Sequence, residues 1–212
     1  MPGQPVTVEP LPFPHLAADG WWDASLLRRV AAEFPDPAVP GWRRYENSTE
    51  RKLEGPPGLW GAATRELFRQ VEARTAELGE AFGIPGLQME TVGGGYHLIP
   101  PGGYLAVHAD FNRSPHTGRY RRLNHLVYLN DEWDDEGGAL ELWDADGPAV
   151  TVVPEMNRTV VFETSDHSWH GPPQPAARWR KSVAAYFFTA EPPDGFAGEH
   201  STLWHEGAAA RA

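Results

Sequence analysis

The sequence predicts a mainly β protein, with helices confined to its N-terminal part and short strands closing into a jelly roll or barrel. Three observations predict it. Glycine and proline are abundant (22 and 21 residues), yet nine tryptophans and nine phenylalanines are spread among them. That mixture means turns between packed strands rather than disorder. After Pro85, about eight short β-rich runs follow one another, punctuated by Gly-Gly, Pro-Gly, Asn-Asp and Asp-Gly turn signals. Before Pro85 the apolar spacing is helical instead.

Taken in order, Met1 to Pro14 is a proline-rich irregular arm. Leu26, Leu27, Val30 and Phe34 mark a helix over about Trp22 to Phe34, and Pro35 ends it. Pro35 to Gly58 reads as loop. The clearest helix runs from about Leu59 to Phe82, with Leu67, Phe68, Val71 and Leu78 on one side and Gly83 as C-cap. The predicted strands are Gln88–Val92, Tyr96–Ile99, Tyr104–Phe111, Leu123–Asn130, Ala139–Asp144, Val150–Val153, Arg158–Glu163 and Ser182–Ala190. No internal repeat is present, and the Ala/Gly-rich tail from Gly207 reads as disordered. A chain of 212 residues suits one domain over 1–212, with a helical part of about 1–85, a β core of about 86–190 and a C-terminal tail.

The charge balance narrows the partners. Eighteen basic residues stand against 29 acidic ones, a net charge of −11 with no basic block, which disfavours nucleic acid and anionic membranes. No cysteine is present, so disulfides, thiolate metal sites and cysteine nucleophiles are excluded and any metal must use histidine and carboxylate. No stretch near Met1 resembles a secretion signal and no apolar run reaches bilayer length, so the expectation is a soluble, cytoplasmic protein.

Two residue types, histidine and aspartate, could together hold a metal. His108 and Asp110 flank Ala109 in one strand and therefore project to the same face. A second strand, from Val160, runs into two candidates, His167 and His170, and Arg180 lies ten residues beyond the latter. Two imidazoles and one carboxylate on one side of an ion leave its remaining positions open. On the last strand Arg180, Ser182, Ala184 and Tyr186 share a face, and the small Ser182 and Ala184 leave room there for a ligand. Lys181 points the other way.

From about Gly94 to Thr189 the sequence resembles the prolyl-4-hydroxylase-like branch of the Fe(II)/2-oxoglutarate oxygenases. The matching stretches are Pro-Gly-Gly-Tyr-Leu-Ala-Val-His-Ala-Asp-Phe (101–111), Tyr-Leu-Asn-Asp-Glu-Trp (128–133), Gly-Gly-Ala-Leu-Glu-Leu-Trp (137–143), His-Gly (170–171) and Arg-Lys-Ser (180–182). The resemblance implies a double-stranded β-helix, the cupin-like jelly roll. It implies Fe(II) on His108, Asp110 and His170, with 2-oxoglutarate and O₂ as cosubstrates. It further implies that Arg180 binds the C5 carboxylate of 2-oxoglutarate, with Tyr128 donating to the same group and Ser182 beside it. The expected reaction is hydroxylation of an unactivated C–H bond in an amino-acid, peptide or natural-product substrate, with release of succinate and CO₂. Spacing to Arg180 favours His170 over His167 as the third ligand.

Other residues receive plainer readings. His15, His97, His116, His125, His200 and His205 read as structural or solvated. Gly137-Gly138 reads as a tight turn and the acidic run 131–136 as a solvated one. Arg121-Arg122 could recruit an acidic substrate group, although a surface ion pair accounts for them. Trp133 and Trp169 suit the core or a pocket wall equally. The rival function is a cupin-like metal-binding jelly roll, an isomerase or ligand-binding module, which would use the same metal residues without needing Arg180.

Overall fold

The computed structural model describes residues 7–206; the first six residues of the predicted arm and the tail from Gly207 lie outside them. In chain order the elements are β1 (His15–Asp19), α1 (Ala24–Ala32), β2 (Arg43–Glu46), β3 (Arg51–Gly55), α2 (Ala62–Ala73), α3 (Thr75–Ala81), β4 (Gln88–Ile99), β5 (His108–Ala109), β6 (Tyr120–Tyr128), β7 (Leu140–Trp143), β8 (Pro148–Val152), β9 (Arg158–Glu163), β10 (His170–Gly171), β11 (Arg180–Thr189) and β12 (Leu203–Trp204). They form a seven-stranded sheet in the order β1-β9-β6-β11-β4-β3-β2 and a five-stranded sheet in the order β12-β5-β10-β7-β8. The mainly β jelly roll with N-terminal helices is as the sequence predicts.

Two apolar layers hold it. One fills the space between the helices and the outer face of the larger sheet, joining Leu27, Val30, Leu67 and Phe68 to Leu98, Val127 and Phe187. The other lies between the sheets, with Phe13, Leu140, Leu142, Val160 and Phe162 at its centre. No helix among the described residues is long and apolar enough to cross a membrane.

Several expectations are corrected. Residues 35–58 are not all loop, for β2 and β3 form a hairpin extending the larger sheet. Its β2 strand, Arg-Arg-Tyr-Glu, has no fully buried residue and so carries no apolar alternation to read. The strands expected at 88–92 and 96–99 are one strand, β4. Gly93 and Gly95 have φ of +71° and +123°, and a Cβ on Gly95 would lie 2.2 Å from the Gly55 carbonyl oxygen. The glycines thus let β4 bulge against β3 and β11 instead of breaking it. The strand expected at 104–111 shrinks to β5, because the backbone before it bonds irregularly to Thr49, Arg51 and Pro172.

The single long helix is two. At Arg74 the ladder tightens, its N–H bonding to the Val71 carbonyl at 3.1 Å. Thr75 Oγ1 donates to the Glu72 carbonyl at 2.6 Å, and the Arg74 guanidinium stacks 5.0 Å from Trp21 and 5.2 Å from Trp22. A hydroxyl bonded back to the preceding turn bends a helix there.

The N-terminus of α2 is capped from another helix. Gly61 offers no side chain, and Glu33, the C-cap residue of α1, accepts from the amides of Ala63 (2.9 Å) and Thr64 (3.0 Å). Burial alone would raise the Glu33 carboxyl; these amide donors overcome it and hold the group below its ordinary value. Replacing Glu33 with alanine is expected to cost about 1 kcal/mol at neutral pH. A depressed carboxyl contributes its stability above its unfolded value and loses it as pH falls through the folded one. The gap between wild type and Glu33→Ala in urea unfolding is therefore expected to narrow below the ordinary glutamate range. An equal gap at both pH values would remove the charge from the account.

Candidate metal centre and adjoining pocket

His108 and His170 are direct cross-strand partners between β5 and β10, so their rings fall on one face with centroids 4.4 Å apart. Backbone packing demands the glycine that follows His170, since a Cβ on Gly171 would lie 2.8 Å from the Leu105 carbonyl oxygen. Each ring is oriented in the same way. Nδ1 of His108 meets the Ala106 carbonyl and Nδ1 of His170 the Ser168 carbonyl, both at 2.8 Å. A carbonyl can only accept, so each Nδ1 carries a proton and the other ring nitrogen, Nε2, is the one near Asp110. Burial, and then the neighbouring His170 ring, push His108 below its ordinary value and favour the neutral form.

Asp110 completes the group. Its Oδ1 lies 3.7 Å from His108 Nε2 and its Oδ2 3.4 Å from His170 Nε2. One ligand atom from each of the three residues lies within 4.8 Å of the others. Burial would raise this carboxyl, but the Arg121 guanidinium beside it holds it well below the usual carboxylate range. Two imidazole nitrogens and one carboxylate oxygen within 4.8 Å of one another are a donor set that fits a divalent first-row metal. His167, by contrast, is exposed, three residues before His170.

A cavity of about 70 Å³ adjoins the cluster, and Arg180, Ser182, Tyr186, Lys52 and His97 are among its lining residues. Arg180 opens β11 and is buried at 5% exposure. Its Nε donates to the Gly138 carbonyl at 2.7 Å and its Nη2 to the Tyr128 hydroxyl at 3.1 Å. Among the described residues it has no carboxylate partner, although burial disfavours its charge. Tyr128 is fully buried and meets the site through that hydroxyl. A larger open groove of 660 Å³ between α3 and β4 holds no comparable set of polar groups.

The structure changes three plain readings. His97 is neither solvated nor merely structural, since it lines the cavity with Nε2 3.2 Å from the Gly93 carbonyl and 3.4 Å from the Tyr186 hydroxyl. Burial pushes it down to about 3, so it is a neutral group there. Arg121 is not a surface residue but is 2% exposed, paired with Asp110 Oδ2 at 3.0 Å. Its neighbour Arg122 does make an ion pair, at 3.8 Å from Glu163. Trp133 and Trp169 are absent from the cavity lining. Trp133 is buried, its indole bonded to Gly137, while Trp169 packs against His205. Gly137-Gly138 is a tight turn as expected, and the carbonyl of Gly138 also anchors Arg180. Trp204, from β12, stands opposite His108 with ring centroids 5.4 Å apart. The tail-like composition around it gave no signal of that role.

Fold and donor set together make a candidate non-haem metal centre on a jelly roll. Residues 94–188 match the 2OG-Fe(II) oxygenase superfamily. The matched stretch, 95 of the 212 residues, holds His108, Asp110, His170 and Arg180, and the match implies a 2-oxoglutarate-dependent dioxygenase with Fe(II), 2-oxoglutarate and O₂ as cofactors. In structure it is similar to a prolyl-4-hydroxylase from Pseudomonas putida, at 22% identity over 84% of this chain and 93% of that one (TM-score 0.65). It is also similar to a Trichoplax adhaerens prolyl hydroxylase, solved with a hypoxia inducible factor oxygen degradation domain peptide fragment, at 17% identity over 82% and 83% (TM-score 0.66). A viral collagen prolyl hydroxylase from Paramecium Bursaria Chlorella virus-1, solved as a 2OG complex, shares 14% identity over 82% and 96% (TM-score 0.58). These likenesses concern the fold. No curated protein matches the chain in sequence.

Proposed function

We propose that the chain, acting as one domain over 1–212, hydroxylates an unactivated C–H bond of an amino-acid, peptide or natural-product substrate. His108, Asp110 and His170 would hold Fe(II), and Arg180 would bind the C5 carboxylate of 2-oxoglutarate, with Tyr128 and Ser182 beside it. The carrying observation is Arg180, a buried guanidinium that has no carboxylate partner among the described residues and faces the cavity beside the three donors. Burying an unpaired charge costs several kcal/mol, so such a site favours an anionic ligand. A cupin-like isomerase would have no use for it.

When bound, Fe(II) with 2-oxoglutarate and O₂ supplies the oxidising power, and the cosubstrate leaves as succinate and CO₂. The protein's own groups orient and shield. Arg180 and Tyr128 fix one end of the cosubstrate as a charge-assisted fork. Leu126, Leu140 and Phe162 line the cavity and keep water out of it. The Nδ1–carbonyl bonds orient both imidazoles, and Asp110 stays ionised through Arg121. Without cysteine the chain has no disulfide frame, and the cytoplasm is its proposed location.

The test is succinate release by iron-loaded protein, screened with amino acids and short peptides. Release that needs both 2-oxoglutarate and a substrate supports the reading, and turnover of any substrate without 2-oxoglutarate would favour the isomerase. The reaction type has its own expectation. Asp110 occupies the position that a chloride would need, so hydroxylated and not chlorinated product is expected in chloride buffer. Mass spectrometry showing chlorinated product would refute it.

A further inference from the structure

We infer that Arg121 is the positioning residue of the metal centre: with Asn124 it occupies Oδ2 of Asp110 and leaves Oδ1 as the oxygen offered to the ion. The inference rests on His108, Asp110 and His170 being the metal ligands. Oδ2 accepts from Asn124 Nδ2 at 2.7 Å and forms an ion pair with Arg121 Nη2 at 3.0 Å. The amide donor takes one lone-pair direction of that oxygen, and the guanidinium beside it draws the negative charge to the same side of the carboxylate. Oδ1 receives neither donor and faces His108 Nε2 at 3.7 Å.

Arg121 is itself held in one pose. Its Nε and Nη2 both donate to Asn124 Oδ1, at 3.0 and 2.7 Å. Its guanidinium face stacks 3.7 Å from the Tyr186 ring centroid and 4.5 Å from that of Phe111. A planar fork stacked on an aromatic ring cannot be reproduced by lysine. The same atoms therefore lock Arg121, Asn124 and Asp110 into one network. Its consequence is a carboxylate that binds through one oxygen. Binding through both would use a second coordination position, which an open site must keep free.

The experiment is anaerobic titration with Co(II), read by its visible ligand-field bands, with circular dichroism as the check on folding. Arg121→Met keeps the volume and the packing on Tyr186 while removing the donor. It is expected to weaken Co(II) binding roughly 10–100-fold, the usual cost of losing a partner behind a metal ligand, and to shift the bands. Asn124→Leu is expected to shift them in the same direction by less, and Arg121→Lys to restore neither affinity nor spectrum fully. Wild-type affinity and bands in Arg121→Met overturn the inference, as do wild-type bands in Asn124→Leu should Arg121→Met fail to fold. Full recovery in Arg121→Lys overturns the forked geometry as the cause. Failure of the wild-type protein to bind Co(II) overturns instead the assignment of the three ligands.

Discussion

Replacing Arg180 with alanine is expected to raise the 2-oxoglutarate requirement by roughly 30-fold to several thousandfold while iron content stays unchanged. The range follows from a cost of about 2–5 kcal/mol for truncating one partner of a buried charge pair, at about 1.4 kcal/mol per factor of ten. The mutant loses more than a charge, because the Tyr128 hydroxyl and the Gly138 carbonyl lose their donor with it. Succinate release measured against 2-oxoglutarate concentration gives the shift, and metal analysis shows whether the iron remains. Unchanged dependence on 2-oxoglutarate would move the anchor elsewhere. Arg178 is a poor substitute, since it already pairs with Asp134 at 2.7 Å, and the Lys181 ammonium lies over the Phe34 ring, away from the cavity.

The second large effect concerns the two histidines that follow β9, His167 on a turn and His170 in β10. His170→Ala is expected to lose both iron and turnover, and His167→Ala to keep its iron. Both side chains are the right type, and only their placement separates them. His170 is 5% exposed, paired with His108 across the ladder and packed on Phe162, whereas His167 is exposed on a turn where its amide meets Ser165 Oγ at 3.2 Å. Removing one of three ligands takes away a bond that no neighbour can replace. Iron content of the two purified mutants, each checked for folding by circular dichroism, is the measurement. Iron lost from His167→Ala and retained by His170→Ala would reverse the assignment.

What could be read beforehand followed the range of the interactions. Alternation along β11 correctly put Arg180, Ser182 and Tyr186 on the ligand side, because strand geometry is local and each face carries a different residue type. His108 and Asp110 were legible for the same reason. Arg121 was not. Two adjacent arginines look solvated in sequence, and what buries the first is Tyr186, 65 positions later, which no local pattern reports. The β2–β3 hairpin was missed because an edge strand without a buried face shows no period. His97 was missed because a single histidine between apolar neighbours reads the same whether it fills a core or faces a cavity.

The position of β12 has a consequence for protein engineering. The three donors and Arg180 all lie within 94–188, but Lys52 reaches the cavity from β3, and Trp204 stands against His108 from a strand near the end of the described chain. The cavity and the surroundings of its histidines therefore draw on residues from both flanks of that stretch. Transplanting 94–188 alone into a relative would carry over the donors and their arginine while the recipient's own flanks supplied the entrance.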